Sequence, residues 1–181
     1  LSKHNVNKCI EFIKEHNPDI LHFHFGTDAG IYELVSKKID KPKVVSFYGY
    51  DCSSFPDSYF GLGKYYLKNY VFPNADLFLA MSPDMKNDLI KIGCPPEKIN
   101  VHYHGADITR YQVVNRDFRN EGKLRLFMLA RFSPKKGHLF LLKAVKLLKD
   151  SGIKNFELRI VGKFDANHRK LFEEINQFVE S

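Results

Sequence analysis

Short apolar runs alternate with segments of helical periodicity along most of the chain, and this alternation leaves few folds open. Ile20–Phe25, Val44–Tyr48, Asp76–Met81, Ile99–Tyr103, Leu124–Ala130 and Phe156–Val161 read as strands. Between them, residues 5–16, Ala29–Lys38, Gly63–Phe72, the segment following Met81, His138–Lys149 and Ala166–Val179 read as helices. The helix after Met81 is the best marked: Ser82 stands at the N-cap, Pro83 at the first helical position and Gly93 at the left-handed stop. Strand–helix units of this length predict an α/β fold of parallel sheets with helices on both faces. Thr109–Gly122 is polar, charged and aperiodic, so a linker is expected at 113–122. It separates a first parallel-sheet domain, 1–112, from a less complete second one, 123–181.

Composition narrows the function classes. No apolar stretch is long enough to span a membrane, and Cys9, Cys52 and Cys94 are an odd set without metal-ligand spacing. A disulfide scaffold and a zinc site are thereby disfavoured, and a reducing, cytoplasmic setting is expected. The net charge of +7 points to anionic partners: nucleic acid, acidic lipid or a phosphorylated small molecule. Dispersed lysines fit a plain solvated basic surface equally well. The chain opens on Leu1 and stops soon after a helical pattern, so both ends are expected to be cuts through a longer protein.

In open parallel sheets ligands bind past the carboxyl ends of the strands, which makes five strand ends candidate sites. In His22-Phe23-His24-Phe25-Gly26-Thr27, strand alternation puts His22 and His24 on one face and Leu21, Phe23 and Phe25 on the other. The histidines are metal ligands or rim residues bonded to neighbours; Gly26 permits a sharp turn or a close backbone approach. Tyr48-Gly49-Tyr50-Asp51 either faces a sugar, with aromatic planes and a carboxylate, or forms a turn capped by Asp51. Met81-Ser82-Pro83 is accounted for as a helix cap, and Tyr103-His104-Gly105 ends the last strand of the first domain. Ala130-Arg131-Phe132-Ser133-Pro134-Lys135-Lys136-Gly137 joins a strand to a helix start through a cationic loop. A guanidinium, an ammonium and free helix-terminal amides together suit a phosphate or pyrophosphate.

Taken in order, PDILHFHFGTDA (18–29), VVSFYGYD (44–51), the segment 75–107 and LRLFMLARFSPKKGHLFLLKA (124–144) resemble glycosyltransferases of family 4, group 1, with the GT-B fold. The nearest branch serves bacterial exopolysaccharide, colanic acid or capsule synthesis. The resemblance implies two Rossmann-like domains facing a cleft, both incomplete here. It implies a retaining hexosyl transfer from a nucleotide-diphosphate sugar to a glycan or lipid-linked acceptor. By resemblance Arg131 and Lys136 are catalytic and contact the donor diphosphate, with Gly162 also on the donor side. Gly26, Thr27, Tyr48, Gly49, Asp51 and His104 fall on the acceptor or cleft side. Fixed cations offset the charge that builds on a departing diphosphate, so no metal and no cofactor beyond the donor substrate are expected.

Three positions depart from the family pattern: Tyr48 where a His is usual, His104 where an Asn is usual, and Phe164 where a second glycine is usual. The family's glycine-rich loop and paired-glutamate motif fall outside the sequence, so the 181 residues alone are expected to be catalytically inactive. The partners expected are a nucleotide sugar, the acceptor and peripheral contact with an acidic membrane at its inner face, not nucleic acid. The competing readings are another GT-B enzyme of sucrose- or glycogen-synthase type, and a non-catalytic α/β module that binds polyanions.

Overall fold

A computed structural model describes residues 2–111, 113, 123–164 and 166–180. The contacts divide the chain into two units, Leu1–Gln112 and Val113–Ser181. The expected linker, 113–122, lies outside the described residues apart from Val113.

The first unit runs α1 (Lys3–His16), β1 (Leu21–His24), α2 (Gly26–Ile31), α3 (Glu33–Ser36), β2 (Lys43–Phe47), α4 (Ser58–Tyr66), β3 (Leu77–Ala80), α5 (Pro83–Lys91) and β4 (Ile99–Val101). Its four strands pair in parallel in the order β1-β2-β3-β4. The register aligns Phe23, Val45, Phe78 and Ile99 across one face. Against that face pack Ala29, Leu67, Val71 and Leu89, while Val6 and Val35 close the β1 edge with Leu21 and Ile39.

The alternation predicts helices on both faces; among the described residues of the first unit they lie on one. Each right-handed crossover advances by one strand in the same direction, so every connecting helix lands on the same side. The opposite face carries His22, His24, Val44, Ser46, Leu77, Leu79 and Asn100, a mixture of polar and apolar side chains.

Two helix expectations also shift. The helix predicted over Ala29–Lys38 starts at Gly26 and breaks at Tyr32, giving α2 and α3. Its early start comes from Asp51, whose carboxylate accepts from the Gly26 amide at 2.9 Å. That cap lies 25 residues away, beyond the reach of local pattern. The helix predicted over Gly63–Phe72 begins after three left-handed residues, Tyr59, Phe60 and Gly61, and passes into a π turn over Leu67–Val71. Ser82 caps α5 as expected, accepting from the Met85 amide at 3.1 Å.

The second unit runs β5 (Leu124–Leu129), α6 (His138–Asp150), β6 (Phe156–Val161) and α7 (Arg169–Glu180). The two strands are parallel, with Leu124 beside Phe156 and Leu129 beside Val161. Phe132, Leu142 and Ile175 form the core with Leu158, Ile160 and Phe172. Here too the helices share one face, and Phe127, Leu129 and Val161 are exposed on the other. Among the described residues no helix is long and apolar enough to cross a membrane.

Candidate functional site

The carboxyl ends of β1 and β2 are drawn together by Asp51. Its side chain is fully buried. Oδ2 accepts from Gly26 N at 2.9 Å, and Oδ1 accepts from Tyr48 N at 3.0 Å and Gly49 N at 3.1 Å. With both oxygens engaged and no solvent-facing surface, Asp51 holds the rim from behind. The expectation of a cleft carboxylate for sugar hydroxyls is therefore corrected: of the two readings of Tyr48–Asp51, the capped turn is the one that forms.

Gly26 is buried and pressed against the core, where an added Cβ would lie 2.5 Å from the Phe47 ring. Gly49 has φ +119°, the left-handed region open to glycine, and its surroundings are otherwise open. Thr27 is half-buried, and its carbonyl accepts from the Tyr66 hydroxyl at 3.0 Å.

A row of rings stands on this rim. Tyr48 stacks on His104 (centroids 5.1 Å apart, planes 20°) and on His24 (5.8 Å, 15°). His24 adjoins His22 at 4.4 Å. The Tyr48 hydroxyl and His24 Nδ1 are hydrogen-bonded at 2.5 Å, and His22 Nε2 and Ser46 Oγ at 2.8 Å. The two histidines share a face, as alternation predicts, and are taken up by rim hydrogen bonds. Among the described residues no group of three or more His, Cys, Asp or Glu side chains is placed to hold a metal ion. Burial, with His24 and His102 nearby, lowers the His22 pKa below its ordinary value.

Phe25 breaks the expected alternation. Its φ of 74° and ψ of 134° turn the ring off the buried face to meet Tyr48 at 4.8 Å. Such a conformation costs a non-glycine residue about 1–3 kcal/mol, a strain that concentrates at ligand sites.

In the second unit, Arg131 follows β5 and Lys136 closes a 3-10 turn, Pro134–Lys136, that leads into α6. Both side chains are exposed, and neither pairs with an acid among the described residues. Gly137, at φ 73°, is the α6 N-cap and supplies no side-chain acceptor, so the first-turn amides stay free. His138, buried at the helix start, stacks on Phe132 at 4.7 Å.

Gly162 lies directly against this loop. A Cβ there would fall 1.8 Å from the Ala130 carbonyl oxygen, which excludes any side chain. Phe132 N donates to Lys163 O at 3.1 Å, fastening the two loops. The structure thus brings Gly162 beside Arg131. Phe164, at the position of the usual second glycine, packs edge-on against Phe172 at 5.3 Å.

The first-unit residues Gly26, Thr27, Tyr48, Gly49 and His104 follow the carboxyl ends of the first sheet's strands; in the second unit Gly162 lies against Arg131 beyond the β5–β6 pair, and Lys136 stands on the same β5–α6 loop. Of the two readings of His24, the rim residue bonded to a neighbour is the one that forms, with Tyr48 as the neighbour. Lys163 is the residue that the sequence reading passes over. The Lys163 carbonyl accepts from Phe132 N, next to Arg131, and its position after Gly162 is the available signal.

Residues 2–110 match the family described as Glycosyltransferase Family 4. A Salmonella typhimurium protein named as a colanic acid biosynthesis glycosyltransferase, WcaL, is 30% identical over 92% of this chain and 41% of its own. The amylovoran biosynthesis glycosyltransferase AmsK of Erwinia amylovora is 30% identical over 80% of this chain and 35% of its own. In fold, the chain superposes on HepE of Anabaena, solved in complex with UDP, with a TM-score of 0.80 and 20% identity, over 97% of this chain and 48% of that one. The chain therefore spans about two fifths of the curated relatives' length and about half of this solved neighbour. With a match across more than half its residues, the chain belongs to Glycosyltransferase Family 4.

Proposed function

We propose that this chain is part of a retaining glycosyltransferase of surface polysaccharide synthesis, with the second unit holding a nucleotide-diphosphate sugar and the first unit facing the acceptor. The observation that carries this proposal is the β5–α6 loop. Two unpaired cations, Arg131 and Lys136, precede a helix start with free amides, and the loop packs on a glycine that admits no side chain. HepE, which shares the fold, binds UDP.

In the proposed reaction the bond from the anomeric carbon to the diphosphate oxygen breaks, and its electron pair stays on the diphosphate. An acceptor hydroxyl oxygen bonds the anomeric carbon, and its proton passes to the released diphosphate. Arg131 and Lys136 strengthen their hold as charge grows on the leaving group, which lowers the barrier. On the first unit, the Tyr48 and His104 planes offer apolar cover to a sugar's C–H face. The acceptor is a glycan or a lipid-linked glycan, and the protein works in the cytoplasm in contact with the acidic inner face of the membrane.

Calorimetric titration with UDP tests the donor half. Arg131→Ala and Lys136→Ala should each weaken UDP by about 1–3 kcal/mol, the value of a charge-assisted bond. Equal UDP affinity in both variants would overturn it. Salt-sensitive polyanion binding that survives both substitutions would favour the module without catalysis instead.

A further inference from the structure

His138 opens α6 with a buried imidazole. The residue is 1% exposed, and neither ring nitrogen has a hydrogen-bond partner among the described residues. A polar group sealed from water without a partner costs free energy, and an apolar side chain of similar size would fill the space without that cost. Packing alone therefore does not account for a histidine at this position.

The ring lies under the cationic loop. A helical side chain leans toward the N-terminus of its helix, so His138, the first residue of α6, leans toward the turn Pro134–Lys136. Its stack on Phe132, with centroids 4.7 Å apart and planes at 19°, puts it beside the residue that follows Arg131. Phe132 is fixed in turn, edge-on to Phe172 at 5.1 Å and with its amide donating to Lys163 O at 3.1 Å. Gly137, left-handed at φ 73°, joins the turn to His138 and is the pivot on which the loop can move.

The surroundings favour an anion. Residues 130–149 include Arg131, Lys135, Lys136, Lys143, Lys146 and Lys149 and no acid. The first turn of α6 holds no Asp or Glu to offset the helix dipole, and no side chain caps its amides. The amides of the preceding turn are already engaged: Lys136 N donates to Ser133 O at 3.0 Å and Gly137 N to Pro134 O at 3.1 Å. The donors left for an anion from below the loop are the first amides of α6 and the His138 ring.

We propose that His138 is a further donor-substrate-binding residue: a ring N–H donates to a phosphate oxygen of the nucleotide diphosphate when the loop 133–137 closes around it. This contact rests on the nucleotide-sugar reading above and adds a bond from beneath the loop to those of its exposed cations. Binding then satisfies a group that the free chain leaves unpaired, so His138 trades stability of the free unit for affinity.

The test is calorimetric titration of the 181-residue chain with UDP and with inorganic pyrophosphate, beside thermal melts. His138→Met and His138→Phe keep an apolar filler and remove both nitrogens. Each should bind both ligands about tenfold more weakly, the worth of one charge-assisted bond. His138→Met should nevertheless melt no lower than wild type, because it also removes an unpaired buried polar group. His138→Gln restores a side-chain donor and should bring affinity back to within about threefold of wild type, with no gain in melting temperature. A histidine that serves packing alone would show affinity following melting temperature across the set. UDP bound equally by His138→Met and wild type overturns the proposal, and so does a His138→Gln that binds no better than His138→Met. Weakened UDP with unchanged pyrophosphate overturns it too, since the contact would then lie off the phosphates. A wild-type chain that binds neither ligand fails the nucleotide-sugar reading and this contact with it. A loss in Arg131→Ala beside none in His138→Met fails this contact alone.

Discussion

The Tyr48 hydroxyl lies 2.5 Å from His24 Nδ1, tying the first residue beyond β2 to the last residue of β1. The bond orients the phenol at the position where the family usually places a histidine. Tyr48→Phe keeps the ring row but removes this bond. In the complete glycosyltransferase kcat/KM should fall about tenfold, the value of one hydrogen bond, with UDP affinity unchanged. Because the pair is solvent-facing, the unfolding free energy should move by no more than about 1 kcal/mol.

Asp51 gathers three backbone amides from two loops without touching solvent. Asp51→Asn replaces an acceptor oxygen with a donor facing those amides. It should destabilise the first unit by about 3 kcal/mol, read from urea unfolding. Hydrogen exchange should show the Gly26 amide losing protection first, since α2 begins on that bond.

Gly162→Ala puts a methyl group into the Ala130 carbonyl. The β5–β6 pair must separate to accept it, at a cost of about 3 kcal/mol. Amide exchange over 124–129 and 156–161 should accelerate, and UDP binding should weaken with it. Gly105→Ala, where an added Cβ meets nothing within 4 Å, is the control and should stay within about 0.5 kcal/mol.

The His22 pKa is lowered in the folded chain, first by partial desolvation of its ring and then by the nearby His24 and His102, although the residue keeps an exposed surface. Its folded pKa lies below the unfolded value of 6.5, so the unfolded chain binds the proton more readily. The stabilisation from neutral His22 is full above pH 6.5 and is lost as pH falls through that value toward the folded pKa. Urea midpoints measured from pH 8 down to pH 5 should decline, and His22→Gln should flatten that decline. An equal slope in the variant would show that other groups cause it.

Strand and helix identities were legible because burial on one side of a sheet or helix writes a period into the sequence. Val44, Phe78 and Leu126 lie within strands where the pattern placed strands, and Ser82 and Pro83 start α5 as their chemistry requires. The cationic loop was equally legible: Arg131 and Lys136 occupy the connection between β5 and α6. These are local properties, fixed by residues a few positions apart.

What the sequence could not settle are contacts made across the chain. The Asp51 carboxylate was free to face a sugar or to fold inward until Gly26, Tyr48 and Gly49 converged on it. Helices were free to cover either face until the strand order sent every crossover the same way. Phe25 read as one more inward ring, yet its backbone flips outward to meet Tyr48. Local periodicity records which side of an element is buried; only folding decides which distant atoms fill the space beside it.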